Sequence, residues 1–229
     1  MKVKIWGCRG SIPAPLNPRH IEEKITQAIH QMPDIDTADL AAVQSYVQGL
    51  DILKRRTAGG NTTCVEVEAG GKTFIIDAGS GIRKLGLELM KGPCGRGQGE
   101  LHILFSHAHW DHIQGFPFFT PAYVPGNRIF IYSVHDLSKT LVDQQNSLNF
   151  PVPMLNMAAA IEFITLNVGE PIHIGDVRID NIRNAHPGDS YAYCFSDEHS
   201  TFVFASDSEY KELVNGSMQP HLTFFKEAD

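Results

Sequence analysis

The sequence has no long apolar segment and no closely spaced pair of cysteines. A helix that spans a bilayer needs about 20 apolar residues, and no run of that length occurs among the 229 residues. Residues 1–7 also lack the apolar region and small-residue cleavage site of a secretory signal. The four cysteines form no CxxC motif, which disfavours a disulfide scaffold and a thiolate zinc site. We therefore expect a cytoplasmic protein with no membrane contact and with reduced cysteines.

The chain also lacks an excess of positive charge. It contains 19 Lys and Arg against 26 Asp and Glu, a formal net charge of −7. This balance disfavours stable binding to nucleic acid backbones, and the only dense basic run is at residues 54–56. The length and the hydrophobic content of 42% suit one globular domain, which we place at residues 1–229.

Two types of hydrophobic spacing divide the chain. Ile21, Ile25 and Ile29 recur at helical spacing, and a second helical pattern follows them. We therefore predict a helical hairpin inserted at residues 18–56, after the first strand. Elsewhere short alternating segments indicate strands, including a hairpin that turns at Gly70-Gly71. Because strands outnumber helices and hairpins are frequent, the predicted fold class is α/β in the layered α+β sense, an αββα sandwich.

Four side chains with metal-binding chemistry follow an apolar strand within six residues. His107 and His109 alternate in an extended stretch, so their side chains point the same way and can hold one metal together. Asp111 and His112 lie where the chain turns towards a helix and can reach a second metal. Imidazole and carboxylate ligands suit zinc, with iron or manganese as alternatives. A surface or turn role is the ordinary interpretation of one histidine, but not of four such residues after one strand.

Two polar residues further along the chain follow strand-like segments. His186 precedes Pro187-Gly188, and Asp207 closely follows the apolar run at residues 202–205. Each of these residues, taken alone, is typical of a turn. Loops at strand ends are also common places for catalytic groups, and the presence of the histidine cluster favours this second interpretation.

These segments together resemble the metallo-β-lactamase superfamily. The family signature is similar to His107-x-His109-x-Asp111-His112. Three further segments resemble family motifs in the family's order: Phe74-Ile-Ile-Asp77-x-Gly79 with its structural aspartate, His186-Pro-Gly with the third histidine, and Ser206-Asp207 with the bridging aspartate. Two glycine-rich segments further resemble the branch containing tRNA-processing RNase Z and small phosphodiesterases: Gly7-x-x-Gly10-Ser11 and Gly59-Gly60-Asn61-Thr62.

The resemblance implies a hydrolase with two divalent metal ions, zinc or else Mn²⁺ or Fe²⁺. The implied ligands are His107, His109 and His186 for one ion, Asp111 and His112 for the other, and Asp207 as the bridge between them. Asp77 would orient the histidine loop from behind the ligands. A hydroxide held between the ions would attack the substrate, with Asp111 and Asp207 as the catalytic carboxylates.

One departure from the family pattern concerns the end of the chain. Such domains have one more metal-binding histidine near the C-terminus, after a further strand. This sequence stops at Asp229, and the surroundings of His221 do not match that motif. Either the sequence lacks its natural C-terminus, which we favour, or the second metal is held by fewer ligands. Residues 225–229 would then approach a strand that is absent.

The preferred substrate is a small phosphodiester such as a cyclic nucleotide. This choice follows from the branch resemblance and from the suitability of two metals for in-line displacement at phosphorus. The acidic balance disfavours a tRNA substrate. Arg9, Ser11 and Asn61 are candidate substrate-binding residues, although a structural role in turns is as reasonable. Hydrolysis of a thiolester or lactone, RNA processing, and a metal- or nucleotide-binding sensor without turnover remain open.

Two interpretations of the insertion at residues 18–56 also remain. It is either a surface elaboration that buries its own apolar stripe, or a lid or dimer contact close to the active-site mouth. A homodimer is an expectation that rests on analogy with the family.

Overall fold

A computed structural model describes residues 1–57, 59–209, 219–226 and 228–229 of the chain. The strands within these residues are Lys2–Gly7 (β1), Cys64–Ala69 (β2), Lys72–Ile76 (β3), Glu100–Leu104 (β4), Arg128–Ser133 (β5), Ala160–Thr165 (β6), Ile172–Ile174 (β7), Val177–Asn184 (β8), Ser190–Ser196 (β9) and Thr201–Phe204 (β10). The α-helices within them are Pro18–His30 (α1), Leu40–Gly49 (α2), Ile52–Arg55 (α3), Gly81–Leu89 (α4), Trp110–Ile113 (α5), Ser138–Gln144 (α6) and Gln219–Phe225 (α7).

The strands form two sheets, one of six strands in the order β1-β2-β3-β4-β5-β6 and one of four in the order β10-β9-β8-β7. In the first sheet β1, β2 and β3 are antiparallel neighbours, and β2 joins β3 through Gly70 and Gly71, whose φ angles of +54° and +69° favour glycine. The strands β3 to β6 are parallel. Parallel strands end at the same edge of a sheet, so the residues after β3, β4 and β5 lie together.

Alternating side chains of the first sheet face two different cores. Ile75 and Ile103 face the helices, in a core that includes residues of α4 and α6. Phe74 and Ile76 face the second sheet and pack in a core that includes Tyr193 of β9. On the second sheet, α7 contacts β8 through a hydrogen bond of 3.0 Å between Nε2 of His221 and the carbonyl of Arg183. The predicted αββα sandwich is confirmed.

The insertion after β1 is helical, as predicted, but it contains three helices rather than a hairpin of two. Each helix begins after a residue whose side chain accepts a backbone N–H bond: Asn17, Asp39 and Asp51. The predicted second helix is interrupted between Gly49 and Ile52. None of the three helices contains a buried residue. Because Ile25 and Ile29 are exposed, the insertion does not bury its own apolar stripe.

The C-terminal residues differ from the sequence prediction. The sequence predicts that residues 225–229 lead into a strand. Phe225 instead ends helix α7, so this prediction is wrong for that residue. Residue 227 lies outside the described residues, and the N–H of Asp229 bonds to the carbonyl of Thr201 at 3.0 Å. Across the described ranges, no helix combines the length and the apolar character needed to cross a membrane.

Candidate metal centre

The predicted metal ligands lie at one edge of the sandwich, where strands of both sheets end. Asp77 follows β3, and residues 106–112 follow its parallel neighbour β4. His186 comes after β8 and Asp207 after β10, and these strands run in the same direction because both are antiparallel to β9. The topology therefore brings together four segments that are far apart in the sequence.

The histidine segment changes from extended to helical at His109. This residue has φ −60° and ψ 150° and is the N-cap of α5, and its carbonyl accepts the N–H of His112 at 2.9 Å. His107 and His109 thus precede the helix, while Asp111 and His112 lie in its first turn, which is the arrangement that the spacing predicts. His107 and His112 are buried and His109 is exposed, so the cluster extends from the interior to the surface.

Asp77 is the buried anchor of this segment. Its carboxylate accepts hydrogen bonds from the N–H of Ser106 at 2.7 Å, the Ser106 hydroxyl at 2.8 Å and Nδ1 of His112 at 2.7 Å. Because the single hydroxyl hydrogen of Ser106 goes to Asp77, Nδ1 of His107 must donate in its 3.0 Å contact with Ser106 Oγ. In the neutral form of both imidazoles, this leaves the lone pair of Nε2 free for a metal.

Two overlapping groups of side chains have the composition of a metal site. The ligand atoms of His107, His109 and His186 lie within 4.8 Å of one another, and so do those of His107, His112 and Asp207. In the described part of the chain, the Nε2 atoms of His107 and His112 are buried without a hydrogen-bond partner. Such atoms are costly unless a ligand satisfies them. The residues therefore fit divalent metal ions, and imidazole with carboxylate suits zinc.

Asp207 lies where the two ligand groups meet. Its Oδ2 atom is 3.6 Å from Nε2 of His112 and 3.9 Å from Nε2 of His186. A carboxylate in this position faces the ligands of both groups, as expected for the predicted bridge. Its catalytic role stays a prediction.

Asp111 is close to the cluster but belongs to neither group. Its Oδ2 atom lies 3.6 Å from Nε2 of His112 and accepts the backbone N–H of Ser11 at 2.7 Å. The second group contains His107 in its place, which the sequence analysis did not assign to a second metal. The role of Asp111 as metal ligand and catalytic carboxylate also stays a prediction.

The imidazoles of the cluster differ in their electrostatic surroundings. Burial lowers the pKa of His107 to about 3, and the neighbouring His112 and His109 add to this effect. Burial also lowers the pKa of His112, but the carboxylates of Asp77, Asp207 and Asp111 outweigh it and raise that pKa to about 10. The pKa of Asp207 is lowered, chiefly by its interaction with His112. Carboxylates that stabilise a proton on His112 would equally stabilise a metal cation.

The predicted substrate-binding residues lie on two loops beside the cluster. The N–H of Arg9 donates to the carbonyl of Asn61 at 3.0 Å. The side chain of Asn61 accepts a 3.2 Å bond from the Ser80 hydroxyl, so Asn61 holds the two loops together. Ser11, at φ +66°, directs its backbone N–H to Asp111. The side chains of Arg9 and Ser11 are exposed and make no hydrogen bond or ion pair with the described residues.

Ser106 is a site residue that the sequence analysis missed. It links Asp77 to His107 through its hydroxyl and so sets which nitrogen of His107 carries the hydrogen. The available signal was its position immediately before His107. A serine after a strand is an ordinary turn residue, and its contact with Asp77 spans 29 positions of sequence, so spacing does not predict it.

Gly79 allows three backbone segments to approach one another behind the site. A Cβ atom there would lie 2.4 Å from the carbonyl oxygen of Asp111, 2.5 Å from Thr62 Oγ1 and 2.6 Å from the carbonyl oxygen of Thr63.

We expect Gly79→Ala to lower the free energy of unfolding by about 3 kcal/mol or more, measured by denaturant titration. The control is Gly49→Ala, where a Cβ meets nothing within 4 Å, and it should be neutral or slightly stabilising. Equal stability of the two variants would contradict this packing.

Substitutions in α5 should separate the two ligand groups. We expect Asp111→Asn and His112→Gln each to lower the occupancy of the second metal. The metal held by the three histidines of the first group should stay bound. Metal content by mass spectrometry and circular dichroism of the same samples would measure this. Wholesale unfolding of both variants, or unchanged metal content in both, would count against the assignment.

Comparisons with known proteins agree with the fold. The sequence model described as "Beta-lactamase superfamily domain" matches residues 72–224. No curated protein matches the chain. The metallo-beta-lactamase fold protein YhfI from Bacillus subtilis is similar at a TM-score of 0.55 and 19% identity, over 92% of this chain and 63% of YhfI. The chain therefore spans less than two thirds of the length of that relative.

Two other solved structures are similar over most of this chain. Human tRNase Z, short form (ELAC1), has a TM-score of 0.52 and 14% identity, over 90% of this chain and 69% of its own. Unliganded yeast PDE1 has a TM-score of 0.51 and 15% identity, over 75% of this chain and 68% of its own. At these identities the likeness concerns the fold. The family match covers most of the chain, so the chain belongs to the metallo-beta-lactamase superfamily, with a histidine-rich candidate metal site.

Proposed function

We propose that the chain is a metal-dependent phosphodiesterase that acts on a small phosphodiester such as a cyclic nucleotide. The observation that carries this proposal is that His107 belongs to both three-residue ligand groups. The two overlapping groups together supply five side chains, one more than a tetrahedral zinc ion takes, and this number favours two metal ions held close together. Two adjacent cations suit in-line displacement at phosphorus, since they neutralise charge on both the attacking and the leaving oxygen.

The ligand types support zinc as the metal, with Mn²⁺ or Fe²⁺ as alternatives. Imidazoles outnumber carboxylates in both groups, and imidazole favours zinc over the hard cations Mg²⁺ and Ca²⁺. When bound, such ions would lower the pKa of a water molecule and polarise a phosphoryl oxygen. Asp207, with two oxygens and a position between the groups, is the residue that we assign to contact both ions.

The remaining residues of the site orient the ligands and leave one side open. Asp77 and Ser106 hold the hydrogens of the buried imidazoles on Nδ1. His109 and Asp207 are exposed or partly exposed, so a substrate enters from their side. The exposed cation of Arg9, on the loop that contacts Asp111 through Ser11, suits a phosphate group.

The size and class of the substrate have separate support. The names of two fold relatives, a tRNase and PDE1, agree with phosphodiester chemistry. A net charge of −7 favours a small substrate over a long nucleic acid. A cytoplasmic location and a homodimer are part of the proposal on the sequence grounds given above.

A substrate panel tests the proposal. The chain, loaded with Zn²⁺, should hydrolyse bis(p-nitrophenyl) phosphate and at least one cyclic nucleotide, and EDTA should abolish both reactions. Thiolesters and lactones should react at least about tenfold more slowly, as judged by kcat/KM. Activity confined to thiolesters or lactones would replace the proposal with acyl hydrolysis. Metal binding without turnover of any compound would replace it with a sensor.

A further inference from the structure

The ring of Trp110 is exposed in the middle of the ligand segment. Its side chain is 56% exposed and belongs to neither hydrophobic core. It makes no ring contact or side-chain hydrogen bond with the described residues. Tryptophan usually buries most of its large apolar surface. The exposed indole at this position therefore indicates contact with a bound molecule rather than packing within the protein.

The position of Trp110 places it at the open side of the metal site. It is the first residue of α5, between His109 and Asp111. The two buried imidazoles, His107 and His112, form the inner end of the cluster, and the exposed His109 forms its outer end. Trp110 follows His109 directly in the chain and is exposed like it, so its ring is within reach of a molecule bound at this outer end.

A second loop meets the same side of the site. The backbone N–H of Ser11 bonds to Oδ2 of Asp111 at 2.7 Å, which fixes residues 9–12 beside the start of α5. Arg9 on this loop is exposed and makes no ion pair with the described residues, and Ile12 is 66% exposed. The open side thus offers a cation, an aliphatic side chain and an aromatic ring within two short segments. An anionic phosphate attached to a flat apolar ring has the matching chemistry.

We propose that Trp110 is the surface on which the base of a nucleotide substrate stacks, and that it makes the site selective for phosphodiesters that carry a base. This inference rests on the proposed function and narrows its substrate class. Aromatic side chains bind bases through their faces with little sequence preference. Trp110 should therefore favour nucleotides as a class over sugar or lipid phosphodiesters, with small differences between bases.

Kinetics with a cyclic nucleotide test the stacking role. Trp110→Ala should raise KM by about 5- to 150-fold, the range expected for the loss of one stacked base. The fall in kcat/KM should come mainly through KM, because stacking stabilises substrate and transition state alike. Trp110→Phe should recover most of the affinity. Inhibition by base-free ribose 3′,5′-cyclic phosphate should be equally strong in all three proteins.

A matched control is provided by Leu155, whose side chain is 92% exposed on the connection between α6 and β6. Leu155→Ala also removes an exposed apolar side chain, but outside the metal site. It should leave KM within about twofold of its original value. An equal rise of KM in Leu155→Ala and Trp110→Ala would overturn the proposal, since loss of general surface hydrophobicity would then explain both.

Fluorescence gives a readout that does not depend on turnover. The chain contains two tryptophans, Trp6 and Trp110, so Trp6→Phe leaves Trp110 as the sole indole. A hydrolysis-resistant phosphorothioate of a cyclic nucleotide should quench this fluorescence saturably, whereas base-free ribose 3′,5′-cyclic phosphate should not. Quenching without hydrolysis of any phosphodiester would refute the proposed function but keep the stacking site. Hydrolysis of cyclic nucleotides with no quenching and no change of KM in Trp110→Ala would refute the stacking site alone.

Discussion

Replacement of His107 by alanine should remove the metal ion that it would hold with His109 and His186 and lower phosphodiester hydrolysis by at least about 1,000-fold, equivalent to about 4 kcal/mol of transition-state stabilisation. His107 is the one residue found in both ligand groups, and its buried Nε2 atom has no other partner in the described residues. Because Nδ1 of His107 donates to Ser106, its imidazole offers a metal one lone pair, and the second ion would keep His112 and Asp207. Metal content by mass spectrometry and hydrolysis of bis(p-nitrophenyl) phosphate measure the two effects on the same sample.

The control for this variant is His173→Ala, which removes an exposed histidine from β7. It should retain full metal content and activity. The His107→Ala variant should also keep its circular dichroism, because the two cores do not include His107. A His107→Ala protein that still bound two metal ions with full affinity would contradict the assignment of His107 as a metal ligand.

Replacement of Asp77 by asparagine should lower metal affinity by about 10- to 100-fold and the free energy of unfolding by about 3 kcal/mol. The carboxylate accepts three hydrogen bonds in a fully buried position. An amide has one acceptor oxygen, so its NH₂ group would face either the backbone N–H of Ser106, in the place of Oδ1, or both the Ser106 hydroxyl and Nδ1–H of His112, in the place of Oδ2. Relief of that conflict moves the hydrogen of His112 to Nε2, where it blocks the metal.

Ser106→Ala provides the graded comparison for Asp77→Asn. It removes one hydroxyl but keeps the backbone N–H bond of residue 106 and the carboxylate contact with His112. We expect a loss of stability of about 1 kcal/mol and a smaller loss of metal affinity. Zinc titration calorimetry and denaturant unfolding report both quantities. Equal effects of the two substitutions would mean that the hydroxyl, rather than the carboxylate, orients the imidazoles.

Most of the fold follows from local patterns in the sequence. The alternation of apolar and polar residues at Cys64–Ala69 predicts β2. Val65, Val67 and Ala69 pack in the core between the two sheets, and the intervening Glu66 and Glu68 belong to neither core. The strand β7 was not predicted, since three residues are too few for alternation to be recognised. The break between α2 and α3 was also missed, because Leu50 continues the apolar spacing although its backbone is extended.

The site was predictable where the chemistry lies in contiguous residues. The spacing of His107, His109, Asp111 and His112 predicts an extended segment followed by a helix, and the structure has both. Long-range contacts were not predictable in this way. The bond from Ser11 to Asp111 spans 100 positions of sequence, and the overlap of the two ligand groups at His107 arises from the meeting of both sheets at one edge.

The central claim, that the chain is a metal-dependent phosphodiesterase with two adjacent metals, is tested most directly by titrating the metal-free chain with Zn²⁺ while cyclic nucleotide hydrolysis is followed. Hydrolysis should be absent without metal, rise as zinc is added, and reach a plateau when two equivalents have bound. A full rate of hydrolysis in the presence of EDTA, without added zinc, would contradict the claim. So would the binding of two zinc ions with no hydrolysis of any phosphodiester.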